Sequence, residues 1–159
     1  MTDFLFRSIV IGIGATLLLD LWGLLLNRIF GLPMANWGLV GRWFSLLPNG
    51  RVFHDDIAAE RPYSHELILG WIGHYLVGIL FAGILLAVAP TGWASQPTLL
   101  PALIVGVVTV GAGWFLLQPG MGAGIAASKR PNAWQIRFLN VVGHIVFGLG
   151  LYGTALIIR

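Results

Sequence analysis

Three side chains that can carry a proton or bind a cation lie inside long apolar stretches: Asp20, His74 and His144. Within a membrane such a side chain has little water around it, so it requires a partner or a function. Two imidazoles and one carboxylate can ligate a divalent metal, and two imidazoles on facing helices can hold a haem. The same groups can instead pass protons or ions, or join helices by hydrogen bonds.

The two histidines lie in similar stretches. Residues 73–78 read GHYLVG and residues 143–148 read GHIVFG, an offset of 144 − 74 = 70 residues. Duplication of a helical hairpin would produce this repeat. Independent use of a glycine–histidine packing pattern would produce it too, because glycines let membrane helices approach closely. Both interpretations stay open.

Asp20 belongs to a polar stripe in the first apolar stretch. Thr16 precedes it by one helical turn and Asn27 follows it by two, so the three share a helix face. Such a stripe should face other helices or a wet cavity, because lipid would leave it unsatisfied. We add Gln118, at the end of the third apolar stretch. The predicted ion, proton or substrate site therefore comprises Asp20, His74, His144, Thr16, Asn27 and Gln118, and its first three members are the candidate metal ligands.

The composition is that of a multi-pass membrane protein. Of the 159 residues, 57% are hydrophobic and only 9% are charged, with a mean hydropathy of +0.86, which leaves too few charges for a water-exposed surface. The net charge of +3 reflects basic residues that flank apolar segments, so we expect no nucleic-acid partner.

The chain has no cysteine, which excludes disulfides and thiol catalysis. We expect the N-terminal stretch to be retained, because it contains Asp20 and lacks a cleavage signal.

The sequence predicts an all-α membrane protein that forms one domain over residues 1–159, with four transmembrane helices. The predicted spans cover residues 4–28, 67–88, 99–117 and 138–158. The first loop, residues 31–66, contains a short interfacial helix whose apolar side chains recur at helical spacing. Those side chains are Trp37, Val40, Phe44 and Leu47.

Each of the two long loops contains a segment that has two possible interpretations. Polar residues gather in the segment 51–66, and we interpret them as a solvated loop rather than a metal site because their spacing is irregular. Residues 118–124 read QPGMGAG. They form either a broken helix end that lines a cavity or an ordinary proline-terminated helix with a flexible turn.

The distribution of Lys and Arg predicts the orientation. The first and third loops carry seven of these residues, and the opposite side carries only Arg7 and Arg159. By the positive-inside rule, loops 31–66 and 118–137 are cytoplasmic and both termini are periplasmic. With a rise of about 1.5 Å per residue, Asp20, His74 and His144 are each expected about 4–6 Å from the bilayer centre on the cytoplasmic side.

The whole chain resembles a bacterial family of small four-helix inner-membrane proteins of unknown function. The stretches that carry the resemblance are ATLLLDLW (15–22), VGRW (40–43), GWIGHY (70–75), QPGMGAG (118–124) and VFGLGLY (146–152). The resemblance implies the four-span architecture and the inner-membrane location. It implies no activity.

We expect transport or permeation of a small solute or ion, which can be coupled to protons, with Asp20 as the proton or cation site and His74 and His144 as its partners. Because four spans are few for a transporter, we expect a homo-oligomer, most simply a dimer packed through glycine faces. The first alternative is a metal- or haem-binding redox protein or enzyme, although the sequence favours a non-enzyme and requires no cofactor. The second is an accessory subunit whose buried polar groups only fix its fold.

Overall fold

The computed structural model describes residues 2–159, which form helices and connecting turns without strands. The main helices are α1 (Thr2–Phe30), α2 (Trp37–Leu46), α3 (Glu66–Val88), α4 (Leu99–Gly120) and α5 (Ala133–Ile157). All except α2 are long and apolar enough to cross a membrane. The predicted all-α, four-span class is therefore confirmed, and α2 fits the predicted short interfacial helix.

The helix ends differ from the predicted spans where polar residues continue a helix. α5 begins at Ala133, before the predicted start of the span at residue 138, because hydropathy marks only the apolar part of a helix. α4 continues past residue 117 to Gly120. Within α4, residues Gly113–Leu117 form a π-helical turn, in which the Gln118 N–H donates to the Gly113 carbonyl five residues earlier.

The helices contribute to two compact units. Unit 1 contains residues 2–34, 75–109 and 141–159, and unit 2 contains residues 35–74 and 110–140. Unit 1 holds the main apolar core, where side chains of α1, α3, α4 and α5 pack together. The fully buried members of this core are Ile11, Ala15, Ala82, Leu85, Ala102, Leu151 and Ala155.

Glycines bring the helices of unit 1 into backbone contact. A Cβ on Gly12 of α1 would collide with the backbone of Ile79 on α3, and a Cβ on Gly106 of α4 would lie 2.7 Å from Cα of Gly148 on α5. These approaches are closer than any side chain would allow. The small residues of the sequence therefore set the helix spacing, as expected for membrane helices.

In unit 2, α2 packs on the first turns of α3 through a second pair of glycines. A Cβ on Gly41 would collide with the carbonyl oxygen of Glu66, and a Cβ on Gly70 would collide with the carbonyl oxygen of Trp37. The short helix is thereby held against α3 at van der Waals distance.

Arg42 organises the loop that follows α2. It is 7% exposed; its Nε and Nη2 donate to Glu66 at 2.8 and 3.0 Å, and its Nη1 donates to the carbonyls of Ile57, Ala58 and Glu60. The hydrogen bonds to Glu66 and the charge of its carboxylate raise the pKa of the guanidinium above its ordinary value. Most residues of the segment 51–66 are exposed, as a solvated loop requires, but Ile57 is buried where the loop folds over Arg42.

Candidate functional site

Asp20 is paired with a tyrosine of a neighbouring span. The phenol of Tyr75 on α3 donates to Oδ2 of Asp20 on α1 at 3.0 Å, and both residues belong to unit 1. Tyr75 is absent from the set of residues predicted from the sequence, although it directly follows His74. The available signal was the phenol itself, because a hydroxyl inside an apolar helix requires a hydrogen-bond partner.

The other polar residues of the α1 stripe serve the helix itself. Thr16 is 1% exposed, and its hydroxyl donates to the Gly12 carbonyl one turn earlier at 2.7 Å. The Asn27 side chain donates to the Leu32 carbonyl, just beyond the end of α1, at 2.8 Å. Both contacts are local to α1 and its end.

His144 connects α5 to α4 within unit 1. Its Nδ1 lies 3.0 Å from the Gly106 carbonyl oxygen and 3.1 Å from Oγ1 of Thr109, and the Thr109 hydroxyl itself donates to the same carbonyl at 2.7 Å. Because a carbonyl only accepts, Nδ1 carries the proton. The contact is a helix-to-helix hydrogen bond of the kind that stabilises membrane bundles.

His74 belongs to unit 2 and packs among aromatic rings. Its imidazole stacks on the indole of Trp37 with ring centres 3.9 Å apart and planes at 28°, and it meets Trp71 edge-on at 5.9 Å. This contact joins α3 to the first turn of α2. Because Asp20 and His144 belong to unit 1, the shared layer of the three groups stays a prediction. Among residues 2–159, no three His, Cys, Asp or Glu side chains form a group that could hold a metal ion.

Gln118 lies at the start of the QPGMGAG loop (residues 118–124) in a network with α5. Oδ1 of Asn140 accepts from Nε2 of Gln118 at 2.8 Å and from Nε1 of Trp114 at 3.1 Å. An indole can only donate, so the Asn140 oxygen is fixed as the acceptor, and Gln118 must present its amide nitrogen to it. The remaining Gln118 atom, Oε1, is buried and has no hydrogen-bond partner in the protein.

His54 is buried against the same loop. It is 8% exposed, its backbone N–H donates to the Gly120 carbonyl at 3.1 Å, and its Nδ1 lies 3.0 Å from the same oxygen. Its Nε2 is buried without a hydrogen-bond partner. The interpretation of His54 as part of a solvated loop is therefore wrong, because the chain around it crosses the QPGMGAG loop, whereas Asp55 and Asp56 are exposed as expected.

The backbone of this region is unusual as well. Ala126 and Ala127 have φ angles of +48° and +58°, a conformation that costs a non-glycine residue of the order of 1 kcal/mol or more. The Arg137 side chain donates to the Ala126 carbonyl at 2.7 Å and holds this turn. Gly122 has φ +87°, and a Cβ there would collide with the Asp55 carbonyl. Backbone strain and π-turns both concentrate at functional sites.

A protein-family model matches almost the whole chain. Residues 9–158 match a family model described as "Protein of unknown function (DUF2938)". No curated protein matches the chain, and no solved structure does.

Proposed function

This chain belongs to the DUF2938 family, and from that premise and the polar contacts of its spans we propose that it carries a small solute or an ion, coupled to protons, across the bacterial inner membrane. The multi-pass helical architecture supports this role. The family name supplies no activity, so the proposal rests on this chain's own residues.

The hydrogen bond from Tyr75 to Asp20 carries the proposal. It places a carboxylate inside one candidate span and a phenol inside another. A carboxylate in such a position is costly and is kept mainly where it has a function. A phenol can both donate and accept, so the pair can exchange donor and acceptor roles when the carboxylate gains a proton. These are the properties of a proton-coupled site.

His74 and His144 are the proposed partners of this group. Each has its own contacts, His74 with Trp37 and His144 with Gly106 and Thr109. An imidazole can pass a proton while it remains in place, since its two nitrogens exchange donor and acceptor roles. We therefore propose Asp20 as the main proton-exchanging group and the two histidines as its partners.

A homodimer is the proposed assembly. α1 and α5 border an open groove of about 330 Å³ in unit 1, lined mainly by leucines and by Gly14, Gly150 and Gly153. A Cβ on Gly153 would meet nothing within 4 Å. Small residues at an open helix face favour helix association in a bilayer, and the lipid bilayer itself is the other partner.

The excess of Lys and Arg in the two long loops supports their cytoplasmic placement, with both termini periplasmic.

Proton flux into liposomes tests the proposal. The purified protein is reconstituted into liposomes that contain a pH-sensitive dye, and a potassium diffusion potential drives protons inward. We expect faster internal acidification than in protein-free liposomes. Equal rates with and without the protein would overturn the proposal.

The second candidate function is an accessory subunit, and the His144 contacts favour it. His144, Gly106 and Thr109 form a closed hydrogen-bond network between α4 and α5, which requires no ligand. For an accessory subunit, His144→Leu lowers the free energy of unfolding by about 1 kcal/mol, and no flux accompanies the wild-type protein. If the purified wild-type protein by itself passes protons into liposomes, an accessory role is not its whole function.

A further inference from the structure

Three basic side chains of unit 2 lie near the start of α5 without a counter-charge from the protein. Lys129 and Arg130 are exposed in the loop before α5, and Arg137 follows within the first turns of the helix. All six acidic residues of the chain lie at or before Glu66. Among residues 2–159, the ion pairs are formed by other arginines. We call these three residues the basic cluster.

A closed turn holds the basic cluster together. The backbone N–H of Lys129 donates to the Ala123 carbonyl at 3.0 Å, and Arg130 is the next residue. Nε of Arg137 donates at 2.7 Å to the carbonyl of Ala126, which lies inside this turn. Within the described part of the chain, the two Nη groups of Arg137 make no hydrogen bond. The guanidinium is therefore oriented by the turn and keeps donors for a partner outside the chain.

Large apolar side chains beside the basic cluster are exposed as well. Ile125, Trp134 and Phe138 expose 58%, 79% and 60% of their surface. α5 has 25 residues, a length of about 37 Å, whereas the hydrocarbon core of a bilayer is about 30 Å thick. Because the apolar part of α5 begins at Phe138, its first turns extend to the headgroups. Tryptophan is enriched at that depth, and Lys and Arg side chains reach the phosphates there.

The charge of the cluster indicates the kind of headgroup. Phosphate oxygens accept charge-assisted hydrogen bonds from Lys and Arg, and a guanidinium can bind them in bidentate fashion. The backbone of Asp55 passes the same loop at Gly122, but within residues 2–159 no carboxylate forms an ion pair with the cluster. A lipid with a net negative charge supplies the missing counter-charge, whereas a zwitterionic lipid does not.

We propose that the basic cluster and Trp134 form a docking surface for the headgroups of anionic phospholipids. The phosphates accept from Lys129, Arg130 and the Nη groups of Arg137, and the indole lies among the headgroups beside them. The surface lies in unit 2 and depends on the helix α5 as a membrane span. It requires no transport through Asp20, so the two proposals can fail separately.

Fluorescence quenching in liposomes tests the preference for anionic lipid. The chain has no cysteine, so Ser128→Cys, at an exposed residue beside the cluster, gives a single site for an uncharged fluorophore. The labelled protein is reconstituted in phosphatidylcholine that contains either spin-labelled phosphatidylglycerol or spin-labelled phosphatidylcholine. We expect phosphatidylglycerol to quench at a roughly fivefold or more lower fraction, since each basic residue near an anionic surface contributes about that factor. Equal quenching by the two lipids would overturn the proposal.

A matched pair of double variants locates the preference. Lys129→Gln with Arg130→Gln removes two exposed charges of the cluster. Arg61→Gln with Arg159→Gln removes the same charge at exposed residues outside it. We expect the preference for phosphatidylglycerol to fall at least roughly fivefold in the first variant and to persist in the second. Undiminished preference in the folded first variant, or equal losses in both, would overturn the proposal.

A salt titration tests the surface without changing the cluster. High salt screens exposed charges, so we expect it to reduce the preference of the labelled protein for phosphatidylglycerol. This measurement still decides the question if the double variant at the cluster does not fold. A preference that high salt leaves unchanged would overturn the assignment to the basic cluster.

Discussion

The hydroxyl of Tyr75 donates to the carboxylate of Asp20 at 3.0 Å, and this bond joins α3 to α1. It is a contact between two helices that are each long and apolar enough to cross a membrane. The other polar residues of the α1 stripe, Thr16 and Asn27, bond to their own helix and its end. Asp20 is therefore the member of the stripe that accepts a hydrogen bond from another span.

Replacing Tyr75 by phenylalanine removes the donor to Asp20 while keeping the ring. We expect the free energy of unfolding to fall by about 1 kcal/mol or less, the usual value of a hydrogen bond between membrane helices. We expect proton flux to fall at least about tenfold, because a positioned proton-transfer partner contributes at least that much. Unfolding in mixed micelles and liposome flux measure the two effects. Tyr63→Phe, at an exposed loop tyrosine, is the control, and equal flux in both variants would remove the phenol from the mechanism.

Arg42→Leu should destabilise unit 2 strongly. The change leaves the Glu66 carboxylate and three carbonyl oxygens without their shared donor, and breaking a buried ion pair costs about 3 kcal/mol or more. Arg51→Leu breaks an ion pair at a half-exposed arginine, for which about 1 kcal/mol or less is expected. Thermal unfolding of both variants measures the difference. Similar losses would show that Arg42 does not organise the loop.

Gly41→Ala should separate α2 from α3. The new Cβ would overlap the Glu66 carbonyl, which belongs to a helix backbone and has no free space to move into. We expect a loss of about 3 kcal/mol, as for overpacked cores. Gly38→Ala on the same helix is the control, because its Cβ would meet the Asn36 side chain at 3.2 Å, and a side chain can move. Equal melting temperatures for the two variants would contradict the close packing of α2 on α3.

Gly153→Leu should weaken the proposed dimer without unfolding the protomer. The leucine would project into the groove between α1 and α5, where a Cβ meets no neighbour of its own chain. We expect the dimer dissociation constant to rise at least tenfold, about 1.4 kcal/mol, measured by energy transfer between labelled protomers in liposomes. Gly23→Leu also enters open space but lies outside the groove. Loss of the dimer in that control instead, or no dimer in the wild type, would contradict the proposed interface.

The spans and the short helix could be predicted from the sequence because each rests on a local property. Uninterrupted apolar runs longer than a bilayer is thick predict spanning helices with few alternatives. α2 followed from the helical spacing of Trp37, Val40 and Phe44. The start of α5 at Ala133 was missed because Gln135 and Arg137 interrupt the apolar run in its first turns, which weakens the hydropathy signal there.

The buried state of His54 could not be predicted because it depends on contacts between distant segments. His54 and Gly120 are 66 residues apart, and the stretch HDD that begins with His54 has the composition of a solvated loop. The π-turn before Gln118 is a shift in backbone bonding with no residue pattern of its own. The burial of Arg42 likewise depends on the loop that folds over it.

We propose Asp20 as the group through which protons or ions pass. Proton flux into dye-loaded liposomes, driven by the same potential, should be compared for the wild-type protein, Asp20→Asn and Asp3→Asn. Asp3 lies at the exposed start of the same helix and pairs with Arg7, so it controls for the chemical change. We expect Asp20→Asn to assemble normally and to lose at least nine-tenths of the flux, because a positioned proton-transfer group contributes about 100-fold or more, while Asp3→Asn keeps it. Undiminished flux through Asp20→Asn would contradict the account.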